Sequence, residues 1–476
     1  MKHMAMRHNV IKEIHQTPRR LCMALICGTL ASGLMPMMAQ DVDDDEPESS
    51  RKVEFVKVAK HKDVSEILRK DRPKESAAIP TPHFAIHTLD NKFVMTIGGQ
   101  INPIIGADLG NDLYKRDGAG GAFVTNQIPV PPQAGHKSDF FINPLNAAVD
   151  LQVVGLGGTD NQITGYVKIG TNGLTNGIVL QRAYVTWRGF TGGQKLTLFQ
   201  DELACQPPTI DPEGPSGCVS TVSYELSYTS KSYNGFRFAL GLDMPSWYSS
   251  NGIYRGKDFK KWEGREIQGQ PVCDPTAYSI SAPDIPMWVE WGVSDTNRIR
   301  LSAIIRNFMY KDLLADKRRT SVGWGLMLSG NLNPVKPLIF YLQAAYGRGI
   351  GAYIQDLAGQ PLSYVPDDAR PGYMRPSPMM GLNFGVTYNI NPKWQVNAMV
   401  SGTRIWDVAP YAIAAGESDP AHLGNYKSAL YAAGNVFYNI SSYFQVGLEY
   451  LYGQRRTFGA GSASDNRLQM QFMFTL

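Results

Sequence analysis

Apolar and polar residues alternate one by one along the last ten residues of the chain. One parity carries Leu468, Met470, Phe472, Phe474 and Leu476. The other carries Arg467, Gln469, Gln471 and Thr475, with Met473 as the exception. Successive side chains of a strand point to opposite faces, so this segment predicts a strand with one apolar and one polar face. Such a strand is typical of a barrel whose outside contacts lipid and whose lumen holds water.

Similar segments recur at regular intervals from residue 93 onward and predict about sixteen strands. The candidates are 93–107, 144–155, 162–170, 180–188, 194–200, 220–230, 236–243, 287–294, 298–310, 320–332, 337–347, 379–390, 394–406, 428–440, 444–453 and 467–476. In strand 7, for example, Phe236, Phe238, Leu240 and Leu242 would face lipid and Arg237 the lumen. The fold class we predict is all-β, a transmembrane antiparallel β-barrel with a short N-terminal periplasmic segment.

The connections between these strands alternate in length. Short turns follow the even-numbered strands, and the largest connections follow odd-numbered strands, at 108–143, 201–219, 244–286, 348–378 and 407–427. Outer-membrane barrels have short periplasmic turns and long external loops. An array of soluble β-sandwiches is the alternative, and it gives no reason for this alternation.

The N-terminal region predicts export. Residues 1–20 are basic, 21–34 are apolar, and Ala39 offers a small residue for cleavage, so we expect a signal peptide over 1–39. Lipid attachment at Cys27 is the alternative. Residues 40–82 would form a periplasmic segment, disordered or with a short helix over 63–70 capped by Asp63. We expect a solvated linker there, with a coiled coil as the alternative, and the barrel over 83–476.

Composition excludes several classes of protein. The mean hydropathy is −0.23, and no run of 18 apolar residues follows residue 40, so no transmembrane helix is expected. The net charge is +4 without a long basic run, so no nucleic-acid partner is expected. No nucleophile elbow precedes a helix, and no Cys or His spacing fits zinc. We therefore expect no enzyme activity, metal or cofactor.

Strand parity assigns a set of basic side chains to the lumen. These are Lys168, Arg182, Arg188, Lys195, Arg237, Arg300 and Arg306. Guanidinium groups are suited to binding carboxylates, so the set predicts a wall that attracts anions. The alternative is that these side chains pair with loop carboxylates and only brace the barrel.

The connection over 201–219 holds the carboxylates Asp201, Glu202, Asp211 and Glu213 opposite that wall. Acidic groups facing basic groups across a narrow gap would create a transverse field that filters solutes by charge. A solvated surface loop is the alternative. Cys205 and Cys218 lie thirteen residues apart in the same loop. In an oxidising compartment we expect them to form a disulfide, with Cys273 as the alternative partner of either.

Several short motifs resemble those of the DcaP-like porins, and the similarity covers most of residues 93–476. They lie at 181–187, 198–201, 208–211, 213–215, 283–285, 449–453 and 466–469. The first reads Gln-Arg-Ala-Tyr-Val-Thr-Trp and the second Leu-Phe-Gln-Asp. Cys205, Cys218 and Leu476 depart from the family's pattern. The resemblance implies a trimeric channel of sixteen strands for passive uptake of small, mostly anionic solutes, including aromatic and dicarboxylic acids.

We therefore expect a porin in the outer membrane of a Gram-negative bacterium, surrounded by lipids and assembled as a homotrimer. It would allow passive diffusion of small hydrophilic solutes, preferentially carboxylates, into the periplasm. The alternative is a barrel scaffold or adhesin whose long external loops bind a partner.

Overall fold

The computed structural model of the chain describes residues 53–70, 84–110, 121–130, 139–143, 146–172, 177–245, 273–274, 283–312, 317–360, 362–367, 369–370, 373–409 and 425–476. The predicted signal peptide and the acidic stretch that follows it lie outside these residues. The chain divides into two compact units. The larger contains Glu54–His87 and Asn91–Leu476, and the described residues of the smaller are Val53 and Thr88–Asp90.

Sixteen antiparallel strands form one closed barrel, as the sequence pattern predicted. β1 is Phe93–Ile101 with Ile104–Asp108, and β2 is Asp139–Asn143 with Ala147–Gly155. The others are β3 Ile163–Asn172, β4 Gly177–Trp187, β5 Phe190–Leu196, β6 Val222–Thr229, β7 Phe236–Pro245, β8 Ile285–Ser294, β9 Asn297–Asp312, β10 Lys317–Val335, β11 Leu338–Arg348, β12 Pro378–Asn389, β13 Trp394–Ile405, β14 Tyr426–Asn439, β15 Phe444–Thr457 and β16 Ser462–Thr475.

The barrel closes where β16 pairs with β1. Arg467 lies opposite Asp108 in one segment of β1, and Phe474 lies opposite Ile101 in the other. The two segments are separated at Pro103, which has no N–H to contribute to the ladder. The Pro103 carbonyl still accepts a hydrogen bond from Phe472 N at 3.1 Å, so the seam stays paired across the break.

The two faces of the strands differ as expected for a barrel in lipid. In β7, Phe236, Phe238 and Leu240 are exposed on the outside, while Ala239 and Asp243 are buried inside. In β16, Leu468, Met470, Phe474 and Leu476 are exposed, while Arg467, Gln469, Gln471 and Thr475 are buried inside. An apolar surface of this extent is not tolerated in water and is suited to lipid.

The connections depart in one respect from the predicted alternation. The loops after β1, β5, β7, β11 and β13 are long, but those after β3, β9 and β15 have only four residues each, at 173–176, 313–316 and 458–461. The reason is that β9 and β10 stay paired out to Asp312 and Lys317. At this position the two strands extend beyond their neighbours, and the loop between them is correspondingly short.

The turn between β4 and β5 corrects two side-chain assignments. Trp187 pairs with Phe190, so the turn consists of Arg188 and Gly189 alone, with φ angles of 50° and 87°. Two consecutive positive φ angles are typical of the two-residue hairpin turn. Arg188 is therefore exposed in the turn, where it donates to Asn161 Oδ1 at 2.7 Å, and it is not in the lumen. Leu198 lies in the predicted strand 194–200, and its parity there predicts contact with lipid. Instead it follows the end of β5 and is buried against Ala239 and Trp288.

The N-terminal segment contains the predicted short helix, α1, which spans Lys62–Lys70. The helix begins one residue earlier than predicted, so Asp63 lies in its first turn and not at the cap. Val64, Ile67 and Leu68 of α1 are buried in one cluster with barrel residues. The expected solvated linker is therefore wrong for this helix, whose apolar face is covered by the barrel wall.

The remaining elements are short. They are the strands Val53–Lys57, Phe84–Thr88, Cys273–Asp274, Tyr364–Pro366 and Met374–Pro376, and the 3-10 turns Val58–Lys60, Thr125–Gln127, Gly351–Tyr353 and Gln355–Leu357. Among the residues that the structure describes, no helix has the length and apolar character needed to cross a membrane.

A charge placed on the outer face should cost stability in proportion to its depth. We expect Leu328→Arg, on the exposed face of β10, to lower the free energy of unfolding by about 2–4 kcal/mol. Val335→Arg, at the end of the same strand, is the control and should cost about 0–1 kcal/mol. Urea unfolding of protein refolded into lipid vesicles measures both. Equal costs would contradict the placement of this face in lipid.

Candidate functional site: the lumen and its inward loop

The third loop, residues 197–221 between β5 and β6, folds into the lumen. β5 ends after seven residues, which is too short to span a bilayer, so the chain leaves the wall inside the barrel. Leu198 then packs against Ala239 of β7 and Trp288 of β8. The loop therefore begins part-way along the lumen.

From this start the loop runs along the inner wall of the second half of the barrel. The carbonyl of Leu203 accepts a hydrogen bond from Asn331 on β10 at 2.9 Å. Pro207 lies against Gly385 on β12, where an added Cβ would come within 2.5 Å of the proline ring. On the returning arm of the loop, Gly217 N donates a hydrogen bond to Ser401 Oγ on β13 at 2.8 Å. The loop therefore narrows the lumen along its own path.

Cys205 and Cys218 form a disulfide within the third loop. Their Cα atoms are 5.8 Å apart, and both side chains are buried. The bond joins the outgoing and returning arms of the loop, and a crosslink of this kind reduces the conformational entropy of the free segment.

The carboxylate of Glu449, on β15, anchors the far end of the loop. The side chain is fully buried, and it accepts hydrogen bonds from both the loop and neighbouring strands. The donors are Thr209 Oγ1 at 2.6 Å, Ile210 N at 3.0 Å, Asp211 N at 2.9 Å, Asn435 Nδ2 at 2.8 Å and Gln469 Nε2 at 2.9 Å. Five donors converge on this one buried carboxyl group, so the side chain of Glu449 fixes the loop tip.

The loop tip also contacts two other inward loops: the described part of the first loop, 121–130, and the sixth loop, 349–377. Asp211 accepts from Phe123 N at 2.9 Å and from Tyr431 Oη at 2.9 Å. Asp356 of the sixth loop accepts from Thr125 Oγ1 and from Tyr426 Oη at 2.9 Å. Burial raises the pKa of Asp211 and of Asp356 to about 7 despite these hydrogen bonds.

Glu213 completes this acidic contact. Its carboxylate accepts a hydrogen bond from Gln355 Nε2 of the sixth loop. Burial raises the pKa of Glu213, and the bond from Gln355 only partly opposes this. Two of the four acidic residues predicted for the constriction, Asp211 and Glu213, thus hold loops together and do not face the predicted basic wall.

The other two predicted carboxylates do meet basic residues of the wall. Asp201 pairs with Arg298 on β9, lies 3.9 Å from Arg300, and accepts from Ser329 Oγ at 2.5 Å. Burial alone would raise the pKa of Asp201, but the charges of Arg300 and Arg298 and their hydrogen bonds lower it to about 2. This carboxylate therefore stays ionised.

Glu290, on β8, forms ion pairs with three arginines close to Asp201. Arg237 pairs with its Oε1, and Arg298 and Arg300 donate to its Oε2 at 2.6 and 2.7 Å. The Arg300 guanidinium also lies over the ring of Trp288, 4.2 Å from the centroid. The structure thus brings Arg237 and Arg300 of the predicted wall into one cluster with two carboxylates.

Lys168, Arg182 and Lys195 lie on adjacent strands in the middle of the first half of the barrel. Lys168 is the register partner of Asp150 on one side and of Arg182 on the other. Lys195 pairs with Glu225 at 3.4 Å. Arg182 donates from both terminal nitrogens to Glu202 Oε2 at 3.1 Å. Because Glu202 precedes Leu203, which contacts β10, this pair connects the β4 wall to the loop on the other side.

Arg306 has a mainly structural position. It is buried, donates to Asp284 Oδ2 at 2.9 Å, and lies 5.0 Å from the ring centroid of Tyr353 in the sixth loop. Asp284 also accepts from Tyr353 Oη at 2.7 Å. This group of three connects β9 to the sixth loop.

Two arginines of equal importance were left out of the predicted set. Arg298 has the same parity as Arg300 and Arg306 in the same strand, so the rule that selected those two also selects it. Arg467 is fully buried and bonds to both oxygens of Asp108, at 2.6 and 3.1 Å, and to the Gly121 carbonyl at 2.6 Å. Arg467 lies on the polar parity of β16, and this position alone would have assigned it to the lumen.

Removing an acceptor oxygen from the loop anchor, Glu449, should loosen the loop. In Glu449→Gln an amide nitrogen replaces one acceptor oxygen, so at least one of the Thr209, Ile210 and Asp211 donors loses its partner. We expect the free energy of local opening to fall by about 1–3 kcal/mol. Amide hydrogen exchange at Ile210 and Asp211 measures it, with the exposed Glu66→Gln as the control. Unchanged protection would show that Glu449 is not the anchor.

The loop contact should also depend on pH. Asp211 and Asp356 ionise near 3.8 when unfolded and near 7 in the structure. The folded loops therefore hold protons that the unfolded chain releases, and the stability this provides is fully present below about pH 4 and is lost as pH rises through 7.

We expect hydrogen-exchange protection of residues 207–213 and 355–357, corrected for intrinsic rates, to decrease between pH 5 and 8. Asp211→Asn and Asp356→Asn, which keep an uncharged side chain, should each flatten this dependence. Asp201, with its lowered pKa, contributes no change in that range. Protection that is constant with pH would contradict the protonated state of both carboxyls.

Comparison with known proteins relates the fold to porins. No protein-family model matches the chain, and no curated protein sequence is significantly similar to it. The structure is similar to the crystal structure of the outer-membrane channel DcaP of Acinetobacter baumannii, with a TM-score of 0.62 and 16% identity. That match covers 82% of this chain and 99% of that chain.

Two further structures match over similar lengths with lower scores. The anion-selective porin from Comamonas acidovorans has a TM-score of 0.47 and 10% identity, covering 81% of this chain and 100% of its own. OprB of Pseudomonas putida has a TM-score of 0.47 and 10% identity, covering 80% and 94%. The match to DcaP confirms the fold that the sequence motifs predicted: the chain has the same barrel fold as that outer-membrane channel.

Proposed function

We propose that the chain is an outer-membrane porin through which small hydrophilic solutes diffuse passively into the periplasm, with a preference for anions. The observation that carries the proposal is the third loop, held by a disulfide and by Glu449 inside a closed barrel with a charged lumen. A barrel of this kind, with a fixed inward loop, suits selection of solutes by size and charge. The family resemblance of the sequence adds a homotrimer to the proposal.

The preference for anions rests on which partner of each ion pair lies nearer to water. The side chain of Arg237 is 28% exposed and that of Glu290 is 3%. Lys195 is 21% exposed and Glu225 is 0%. Arg300 is 12% exposed and Asp201 is 1%. Although the basic residues are paired, a solute in the lumen therefore meets cations before it meets carboxylates.

The pair of Arg182 and Glu202 has the opposite order by a wide margin, because its carboxylate is 18% exposed and its guanidinium side chain 6%. Glu202 therefore opposes the preference for anions at the point where the loop and the β4 wall approach each other. Fields within a confined lumen act over roughly 8 Å at physiological salt, so both effects are local to the narrow region.

Conductance and ion selectivity test the proposal. Purified protein in a planar bilayer should form channels whose zero-current potential in a salt gradient shows preference for chloride. Lys195→Gln with Arg237→Gln should shift that potential towards cations, because both exposed cations are lost. Glu202→Gln should shift it towards anions, because Arg182 loses its partner. Lys231→Gln, which removes an exposed pair with Asp160 at the rim, is the control and should change nothing.

The outcomes separate the hypotheses. A protein that inserts but forms no channel would favour the scaffold or adhesin instead of the porin. A conducting channel that prefers potassium, or whose selectivity is unaffected by these substitutions, would leave the porin in place and make the basic residues structural braces.

A further inference from the structure

Helix α1 lies against the inner wall of the barrel. Its buried residues Val64, Ile67 and Leu68 share one cluster with Val94 of β1 and Val154 of β2. Both valines face the lumen: Val94 shares the parity of the buried Thr96, and Val154 that of the buried Gln152. The neighbouring Ile97 and Leu151 are exposed on the lipid side. The helix therefore covers lumen surface.

This contact is at the periplasmic mouth of the barrel. Val94 is the second residue of β1, and Val154 is the last but one of β2, next to the short turn that leads to β3. In barrels of this type the long loops are external, and here the long loops all follow odd-numbered strands, so the connection after β2 lies at the periplasmic end. Ile67 also contacts that turn, since a Cβ added to Gly158 would lie 3.7 Å from Ile67 Cδ1.

The barrel wall completes the hydrogen bonding of the helix. The last four carbonyls of a helix have no partner within it. Here Leu68 O accepts from Gln152 Nε2 at 2.8 Å, and Ile67 O accepts from Gln162 Nε2 at 3.3 Å. Lys70 Nζ donates to the carbonyl of Thr159 at 3.1 Å. These three hydrogen bonds between the C-terminal end of α1 and the barrel wall fix the position of the helix.

The chain that follows the helix is also attached to the barrel. In the strand Phe84–Thr88, Ile86 pairs with Met95 and His87 with Val94, on the edge of β1. The ring of Phe84 stacks on that of Phe55, with centroids 5.1 Å apart. The segment before α1 thus contacts the strand after it, and both ends of the helix are held near the mouth.

We propose that Glu54–Lys70 is a plug that partly closes the periplasmic mouth of the channel. The opposite face of the helix is exposed and charged, with Lys62, Glu66, Arg69 and Lys70, so its only apolar face is the one seated on the wall. Within the part of the chain that the structure describes, none of its contacts takes part in the pairing of the sixteen strands, so the helix can leave without opening the barrel. The proposal rests on the proposed porin function, since a plug has an effect only in a conducting barrel.

Single-channel conductance of the full chain tests the plug. Ile67→Asp with Leu68→Asp places two charges against the apolar wall and should release the helix. A helix with its side chains is about 10 Å across, so we expect conductance to rise by roughly half or more. Lys62→Asp, on the exposed face, changes the net charge by the same amount and should leave conductance as it is in the unaltered protein.

A second variant acts from the wall side and keeps the test decisive if the first does not fold. Gln152→Asn with Gln162→Asn retains both amides but shortens their reach by one methylene, so the helix carbonyls lose these donors. Conductance should rise in this variant as it does in the helix variant. The folded barrel is verified for each variant by its heat-modifiable electrophoretic mobility.

The result that would overturn the plug is unchanged conductance in the folded wall and helix variants while the unaltered channel conducts. Conductance absent from the unaltered protein but present in the variants would support complete closure by the plug. No conductance in any folded variant would instead overturn the proposed porin function itself.

Discussion

A strand in lipid must leave no backbone amide without a partner, and the rest of this structure depends on that constraint. It requires β16 to return to β1, and the registers Arg467–Asp108 and Phe474–Ile101 show that it does. Once the barrel is closed, alternate side chains face either lipid or the lumen. The paired charges of the strands described above are therefore placed in the lumen, away from lipid.

Charges gathered in a confined lumen must find partners, because an unpaired buried charge is costly. Arg467 with Asp108, and Arg298 with Asp201 and Glu290, are such pairs. Among these partners Asp201 belongs to the third loop, and Arg467 and Arg306 also donate to the carbonyls of Gly121 in the first loop and Gly349 in the sixth. Pairing therefore does more than neutralise the wall: it draws the first, third and sixth loops into the barrel and fixes them there.

The strands could be predicted from the sequence because lipid and water sort side chains residue by residue, as in β7. The third loop's path could not, because its anchors are distant in the chain: Thr209 and Glu449 are separated by 240 positions. Local errors arose where backbone conformation overrides parity. Arg188 has a positive φ and forms a turn, and Leu198 follows the end of a strand. Arg298 was omitted although its parity was readable.

The stem length of the basic side chains gives a physical reason for the proposed preference for anions at a wall of paired charges. Arginine and lysine carry their charge farther from the backbone than aspartate and glutamate, and keep it near water when the stem is buried. On the wall, Arg237 and Lys195 therefore reach past Glu290 and Glu225. Glu202 reverses the order because it starts from the loop, already inside the lumen. The sign of the field thus depends on where each side chain begins as much as on how many charges of each kind are present.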